Sequence, residues 1–355
     1  MPNIFDYLKW RDIPIENVEF NEIDNLILSR VSYFPFDDIL KENEKITLRE
    51  AYDRFNKLKK KGHFLQKEDK QLFLLLAKSI RFGEIFISNY INKIDQLEEK
   101  QFSAITFFLP DDTIYVAFRG TDDTLIGWKE DLNMSFTEFI PAQVDAVKYL
   151  EDVARKNTNK LVVGGHSKGG NLAIYASVFC KESIKNRIIK VYNNDGPGFT
   201  KNIVDNIKYE KMSKKMHTYI PQTSIIGRLL NHKEETTIIK STQLGIMQHD
   251  IYSWQLLGDK FIRVKITDST SEFIDKTISN WLEEVDNEQK EKFFDTLYDI
   301  LVATNVKTLS EIGNNWFNSA KAMVKSYKNL NQESKQMLNK TLNMLLKIGT
   351  YNIFN

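Results

Sequence analysis

The sequence predicts an α/β fold: a mostly parallel sheet flanked by helices, with a helical N-terminal segment and a helical C-terminal extension. Three observations carry this. Between residues 102 and 241, short β-rich runs alternate with stretches of helical periodicity. Within that region LVVGGHSKGGNLAIYA (161–176) joins an apolar strand to an amphipathic helix through a glycine-flanked turn. From about residue 270 to the end the chain turns polar and keeps a helical spacing of apolar residues.

The elements follow in order. Residues 1–45 mix aromatic and acidic side chains, and NEIDNLILSRVSYFPF (21–36) is helical in its middle. From 47 to about 95 the pattern reads as helix, in TLREAYDRFNKLKKKG and then KEDKQLFLLLAKSIRFGEIFISNYI. The run Lys59, Lys60, Lys61 reads as a solvated helix end. At 102 the period changes: FSAITFFL and TIYVAFRG are strands joined by Pro110-Asp111-Asp112, a hairpin signal. A helix over 142–157, the strand LVVGG (161–165), the helix NLAIYASVFCKES and the strand IIKVYNN (188–194) come next, and MHTYIP and TTIIKS are two further strands. Past 270, Trp281, Phe293, Leu297, Ile300 and Leu301 fall at helical spacings, as do Met337, Met344 and Ile348. There is no repeat and no low-complexity tract, and 7 prolines and 15 glycines leave no room for a long flexible linker. The expected organisation is a sheet domain over 1–270 and a helical extension over 271–355 docked on it.

Bulk properties exclude several functions. Lys+Arg of 49 against Asp+Glu of 48 gives a formal charge of +1, so no global field recruits nucleic acid. The start, MPNIFDYLKWRDIP, lacks the basic and apolar regions of a signal peptide, and runs such as LFLLLA (72–77) are too short to span a bilayer. A cytoplasmic location follows as the expectation. The one cysteine, Cys180, lies in an apolar helical run and reads as a buried, inert thiol.

The glycine-flanked turn admits three readings. A phosphate-binding loop needs its lysine after the last glycine, followed by Ser or Thr. Here Lys168 precedes Gly169, and Asn171 stands where the hydroxyl should be, so that reading fails on register. A merely structural turn is the bland reading. Gly165-His166-Ser167-Lys168-Gly169 matches G-x-S-x-G in the strand–turn–helix context of a nucleophile elbow, where small residues let strand and helix approach. Ser167 is then a nucleophile at a helix N-terminus, in an α/β-hydrolase fold.

A serine needs a base. The chain order Ser, acid, His leaves His217, His232 and His249 of the five histidines. His217 sits inside a strand and is expected to pack there, and His232 follows GRLLN in a surface loop. His249, in GIMQHDIYSW just past TTIIKS, is the best placed to return over the sheet's carboxyl edge, with His232 as the alternative. Asp195 directly follows IIKVYNN, at the same edge as Ser167. It reads equally as the acid that orients the histidine and as a cap for the turn NNDGPGF. The oxyanion donors expected are the backbone N–H of Lys168 and, from FRGTDD (118–123), Thr121 by N–H and hydroxyl.

Residues 102–200 resemble the core of the class 3 lipases in AFRGTDD, GWKEDL (127–132) and VVGGHSKGGNLA. To about residue 260 the chain is similar to a bacterial family of lipase-like α/β-hydrolases defined as a domain of unknown function. That similarity rests on DYLKW (6–10), NLILSRVSYFPF (25–36), YNNDGPGF (192–199) and the QH…W segment (248–254). The resemblance implies Ser167 as nucleophile, His249 as base and Thr121 in the oxyanion hole. The chain departs from the class 3 pattern twice. Lys168 stands where those lipases usually carry leucine, and Pro221-Gln222-Thr223-Ser224-Ile225-Ile226, which matches their D-x-V-P segment, has no carboxylate.

The function expected is hydrolysis of carboxylic esters, with an acyl ester or lipid as substrate, no cofactor and no metal. HKEE (232–235) has no partner histidine at ligand spacing. SIIGRLL (224–230) reads either as an acyl-binding lid or as core packing. Transient contact with a membrane surface is compatible with this function, and the sequence names no protein partner. The competing reading is a non-catalytic or weakly catalytic module whose helical C-terminal region binds another protein.

Overall fold

The structure is a computed structural model and describes residues 1–60, 62–95, 100–122, 125–134, 137, 139–264, 287–304, 316–340 and 343. Its sheet contains β1 (Lys45–Thr47), β2 (Phe86–Asp95), β3 (Lys100–Phe108), β4 (Thr113–Phe118), β5 (Lys160–His166), β6 (Ile188–Asn194), β7 (Met216–Pro221) and β8 (Thr236–Ile239), side by side in chain order. The pairings from β1 to β4 are antiparallel and those from β4 to β8 are parallel. The parallel half has a functional consequence. The segments that leave β4, β5, β6 and β7 all emerge at one edge, and these begin at Arg119, Ser167, Asp195 and Gln222.

The central strands are buried on both faces, and the two-residue period sorts their side chains. Tyr115, Ala117 and Val162 face a core built from α1 (Ile4–Trp10), α2 (Glu22–Val31), α3 (Leu48–Lys57) and α4 (Lys67–Lys78), including Leu26, Phe34, Phe55 and Phe73. Ile114, Val116, Phe118, Leu161 and Val163 face the opposite core, with Leu150 of α6 (Pro141–Lys156) and Leu172 of α7 (Lys168–Phe179). The N-terminal segment thus covers much of one face of the sheet, together with Trp254, Leu256 and Phe261 from beyond β8.

Residues 79–95 correct the sequence reading of helix to about 95. α4 stops at Lys78 and β2 begins at Phe86. Tertiary contacts end the helix. Asp12 accepts the Ser79 hydroxyl and the N–H groups of Ile80 and Arg81. The buried Arg81 guanidinium then pairs with Asp24 of α2 and donates to the carbonyls of Ile13, Val18 and Glu19. FISNYINKID, rich in β-branched and aromatic residues, is left to pair with β3. A second buried pair, Arg30 with Asp69 at 2.6 Å, ties α2 to α4.

Cys180 is buried just past α7, and burial pushes its thiol up to about 12. Native protein is therefore expected to resist iodoacetamide at neutral pH and to take up one carbamidomethyl group only when unfolded, as read by intact mass.

In the C-terminal region the helix Asn287–Val302 lies against α5 (Leu125–Asn133). The Lys129 ammonium is 3.4 Å from the Asp295 carboxylate and 4.9 Å from the Tyr298 ring centre. A further helix spans Trp316–Asn329, and Ile300 and Leu338 are buried. Trp281, Met344 and Ile348 lie outside the described residues. No helix among the described residues is long and apolar enough to cross a membrane.

Candidate active site

Ser167 occupies the turn between β5 and α7 with φ 61° and ψ −137°, a conformation that L-residues rarely adopt. Two neighbouring strands and the helix that follows hold it there. Its N–H donates to the Asn194 carbonyl of β6 at 3.0 Å, and its carbonyl accepts from Gly170 N–H at 2.9 Å. A Cβ at Gly169 would collide with the Phe118 carbonyl oxygen, so only glycine lets α7 pass so close to the end of β4. Ser167 is half-buried, and among the described residues its hydroxyl has no hydrogen-bond partner.

Asp195 follows β6, and its N–H donates to the Tyr219 carbonyl of β7 at 2.8 Å. Its carboxylate is fully buried. Oδ2 lies 2.7 Å from His249 Nδ1 and accepts the Ser224 hydroxyl at 2.8 Å, while Oδ1 accepts the Gly227 N–H at 3.1 Å. The turn NNDGPGF is capped instead by Asn193, whose side-chain oxygen accepts from Gly196 N–H at 2.8 Å. SIIGRLL, expected as a lid or as packing, supplies the two donors that clamp Asp195. The stretch with no carboxylate therefore serves one that comes from the preceding strand.

His249 ends a 3₁₀ turn, Gly245–His249, with about a quarter of its side chain exposed. Gln248 and Trp254 fix that loop: Trp254 donates to the Gln248 carbonyl at 2.8 Å, and the Gln248 side chain accepts from Thr223 N–H at 2.7 Å. His232 is engaged elsewhere, with one ring nitrogen 2.9 Å from Glu234 and the other 2.9 Å from the Gly227 carbonyl. His217, expected to pack within its strand, is exposed on β7 with its ring 5.3 Å from that of Tyr192. β7 lies next to β8, the last strand of the sheet.

Sequence reasoning passed over His166 because it precedes the nucleophile. Its buried ring lies against that of His249, with centroids 4.4 Å apart and planes at 32°. Its Nε2 is 2.9 Å from the His249 carbonyl oxygen, which can only accept, so Nε2 carries the proton. Burial, and then the neighbouring His249, hold its pKa well below the ordinary histidine value, so the ring is neutral. Tyr33 joins this group. Its hydroxyl is 3.1 Å from the His166 carbonyl, 3.3 Å from Nδ1, and accepts from Gly120 N–H at 3.0 Å. The only sequence signals were a histidine inside the motif and a tyrosine in SYFPF.

The FRGTDD loop abuts the elbow: a Cβ at Gly120 would sit 2.9 Å from Ser167 Cβ. The Thr121 hydroxyl, expected to point inward, donates to the Asp131 carboxylate of α5 instead. A carboxylate is a strong, charge-assisted acceptor, so Thr121 is left with its backbone N–H. Among the described residues, neither that N–H nor the Lys168 N–H has a hydrogen-bond partner. The Lys168 ammonium is buried and ion-paired with Glu130 at 2.7 Å and Asp131 at 3.4 Å. Burial alone would lower its pKa, but the two carboxylates outweigh that and raise it. Among the described residues no cluster of three or more His, Cys, Asp or Glu side chains is placed to hold a metal ion.

A mostly parallel sheet covered by helices on both faces, with a strained serine turn at its carboxyl edge, is the α/β-hydrolase class of fold. The chain belongs to the Mbeg1-like family, whose model matches residues 76–299 and so extends past residue 270 into the first described C-terminal helix. Its structure is similar to a Rhizomucor miehei lipase propeptide complex (14% identity, 50% of this chain and 71% of that one, TM-score 0.37). It is also similar to a mutant form of MDLA from Penicillium cyclopium (13%, 68% and 84%, 0.41) and to M37 lipase (14%, 58% and 69%, 0.38). Likenesses this distant say nothing of the reaction. No curated protein matches the chain in sequence.

Proposed function

We propose that the chain is a serine hydrolase of carboxylic esters, acting on acyl or lipid esters. The observation that carries this is the 2.7 Å contact between His249 Nδ1 and the buried Asp195 carboxylate, with the His249 ring against that of His166, the residue before a serine held in a strained turn. A carboxylate accepts, so Nδ1 carries the proton and Nε2 is left free to take one. Ser167 Oγ attacks the acyl carbonyl carbon and gives its proton to His249 Nε2. The backbone N–H groups of Thr121 and Lys168 receive the oxyanion, and collapse expels the alcohol, to which His249 returns the proton. Water then repeats the sequence and releases the acid. Leu244 and Met247, exposed on the loop that carries His249, support an apolar acyl group as the substrate's neighbouring part.

Asp195→Asn tests the reading. The substitution keeps size and an acceptor oxygen but presents the imidazole with an uncharged partner and favours the wrong tautomer. The expected loss in kcat is about 10⁴-fold, with little change in melting temperature, because the remaining oxygen can still accept the Gly227 N–H while the new amide NH2 donates to the Ser224 hydroxyl. Near-wild-type hydrolysis of a panel of acyl esters would remove Asp195 from the chemistry.

A further inference from the structure

Lys168, like His166, is a residue of the elbow motif whose side chain the proposed reaction does not use, and it stands where the resembling lipases usually carry leucine. An ammonium buried this deeply must be compensated, and the way it is compensated points to a role. It pairs with Glu130 at 2.7 Å and Asp131 at 3.4 Å, adjacent residues of α5. Glu130 is anchored independently, accepting the N–H of Gln101 at 3.0 Å and of Ala142 at 3.1 Å. Asp131 is not. One of its oxygens takes the Thr121 hydroxyl, and the other is buried with no hydrogen bond and faces the Lys168 ammonium. Lys168 therefore reaches the oxyanion pocket twice, through its own backbone N–H and through Asp131 to Thr121, which carries the second N–H.

We propose that Lys168 is a positioning residue for the oxyanion pocket: its ammonium holds Asp131, and Asp131 holds Thr121 with its N–H toward the substrate. Without the ammonium, the half-buried Asp131 carboxylate loses the cation that faces its unbonded oxygen, and desolvation already raises its pKa against the opposing pull of Lys168. It sheds its charge or moves, and Thr121 loses the ionic acceptor that fixes it. The same ammonium offsets two carboxylates that would otherwise repel an oxyanion forming nearby. The proposal rests on the ester-hydrolase reading above.

A mutant cycle of Lys168→Met and Asp131→Ala, assayed on an acyl ester with folding followed by near-UV circular dichroism, tests it. Lys168→Met is expected to lower kcat by about 100-fold, the scale of one lost oxyanion donor, with KM nearly unchanged, and Lys168→Arg to recover part of the loss. The losses of Lys168→Met and Asp131→Ala should not multiply, because both act through Thr121. The double variant keeps Glu130 on its two backbone donors, so it tests the coupling even if Lys168→Met alone fails to fold: its kcat should equal that of Asp131→Ala. A folded Lys168→Met with wild-type kcat, or a double variant much slower than Asp131→Ala, overturns the proposal. An inactive wild type would instead overturn the hydrolase reading, and this proposal with it.

Discussion

Replacing Ser167 with alanine is expected to abolish ester hydrolysis and leave the fold unchanged. The loss in kcat should be on the order of 10⁶-fold, since no other group supplies the attacking oxygen. The fold should be indifferent for a local reason. The serine hydroxyl has no partner among the described residues, and alanine keeps the Cβ that the strained turn already accommodates. The change in stability should stay within about 0.5 kcal/mol, as for substitutions that break no buried contact. Turnover and a thermal melt on the same sample check both halves. Hydrolysis near the wild-type rate in Ser167→Ala would remove the nucleophile assignment.

The second large effect distinguishes two histidines. His249→Ala is expected to cost on the order of 10⁶-fold in kcat, because no other ring nitrogen among the described residues is both oriented by a carboxylate and free on its far side. His232→Ala should do the reverse. Its ring bridges Glu234 and the Gly227 carbonyl. Burial works to raise the Glu234 pKa, but His232, Thr218 and Tyr209 together lower it to about 2. Losing the ring leaves a buried carboxylate short of partners, so the melting temperature should fall while most turnover survives. The folded-state pKa is depressed, so this stabilisation is present above the ordinary carboxylate range and lost as pH falls toward 2. The stability gap between wild type and His232→Ala should therefore narrow on acidification. If His232→Ala were the inactive variant, the assignment of the base would be wrong.

Much of this was legible in the chain because it depends on local pattern. β4, β5, β6 and β7 are short apolar runs between glycines, prolines and amphipathic stretches, and they form strands at nearly the positions the pattern marks. The elbow was legible because strain at Ser167 demands glycines two residues away on either side. What stayed hidden depends on contacts between distant residues. The helix that reads on to 95 ends at Lys78 because Asp12 and Asp24 capture Ser79 and Arg81 from far along the chain. Asp195 read equally as a turn cap and as an orienting acid; the nearby Asn193 takes the cap, and Ser224 and Gly227 turn the carboxylate toward His249. No periodicity announces that division of labour. His166 and Lys168 flank the nucleophile in the sequence, yet their partners, Tyr33, His249, Glu130 and Asp131, are assembled only by the fold.

The central claim is that Ser167 is activated by His249, and covalent labelling tests it most directly. Wild-type protein incubated with a fluorophosphonate should gain one adduct, located on Ser167 by peptide mass spectrometry, while His249→Ala and Ser167→Ala gain none under the same conditions. A folded wild-type protein that stays unlabelled, or an adduct on another residue, would contradict the account.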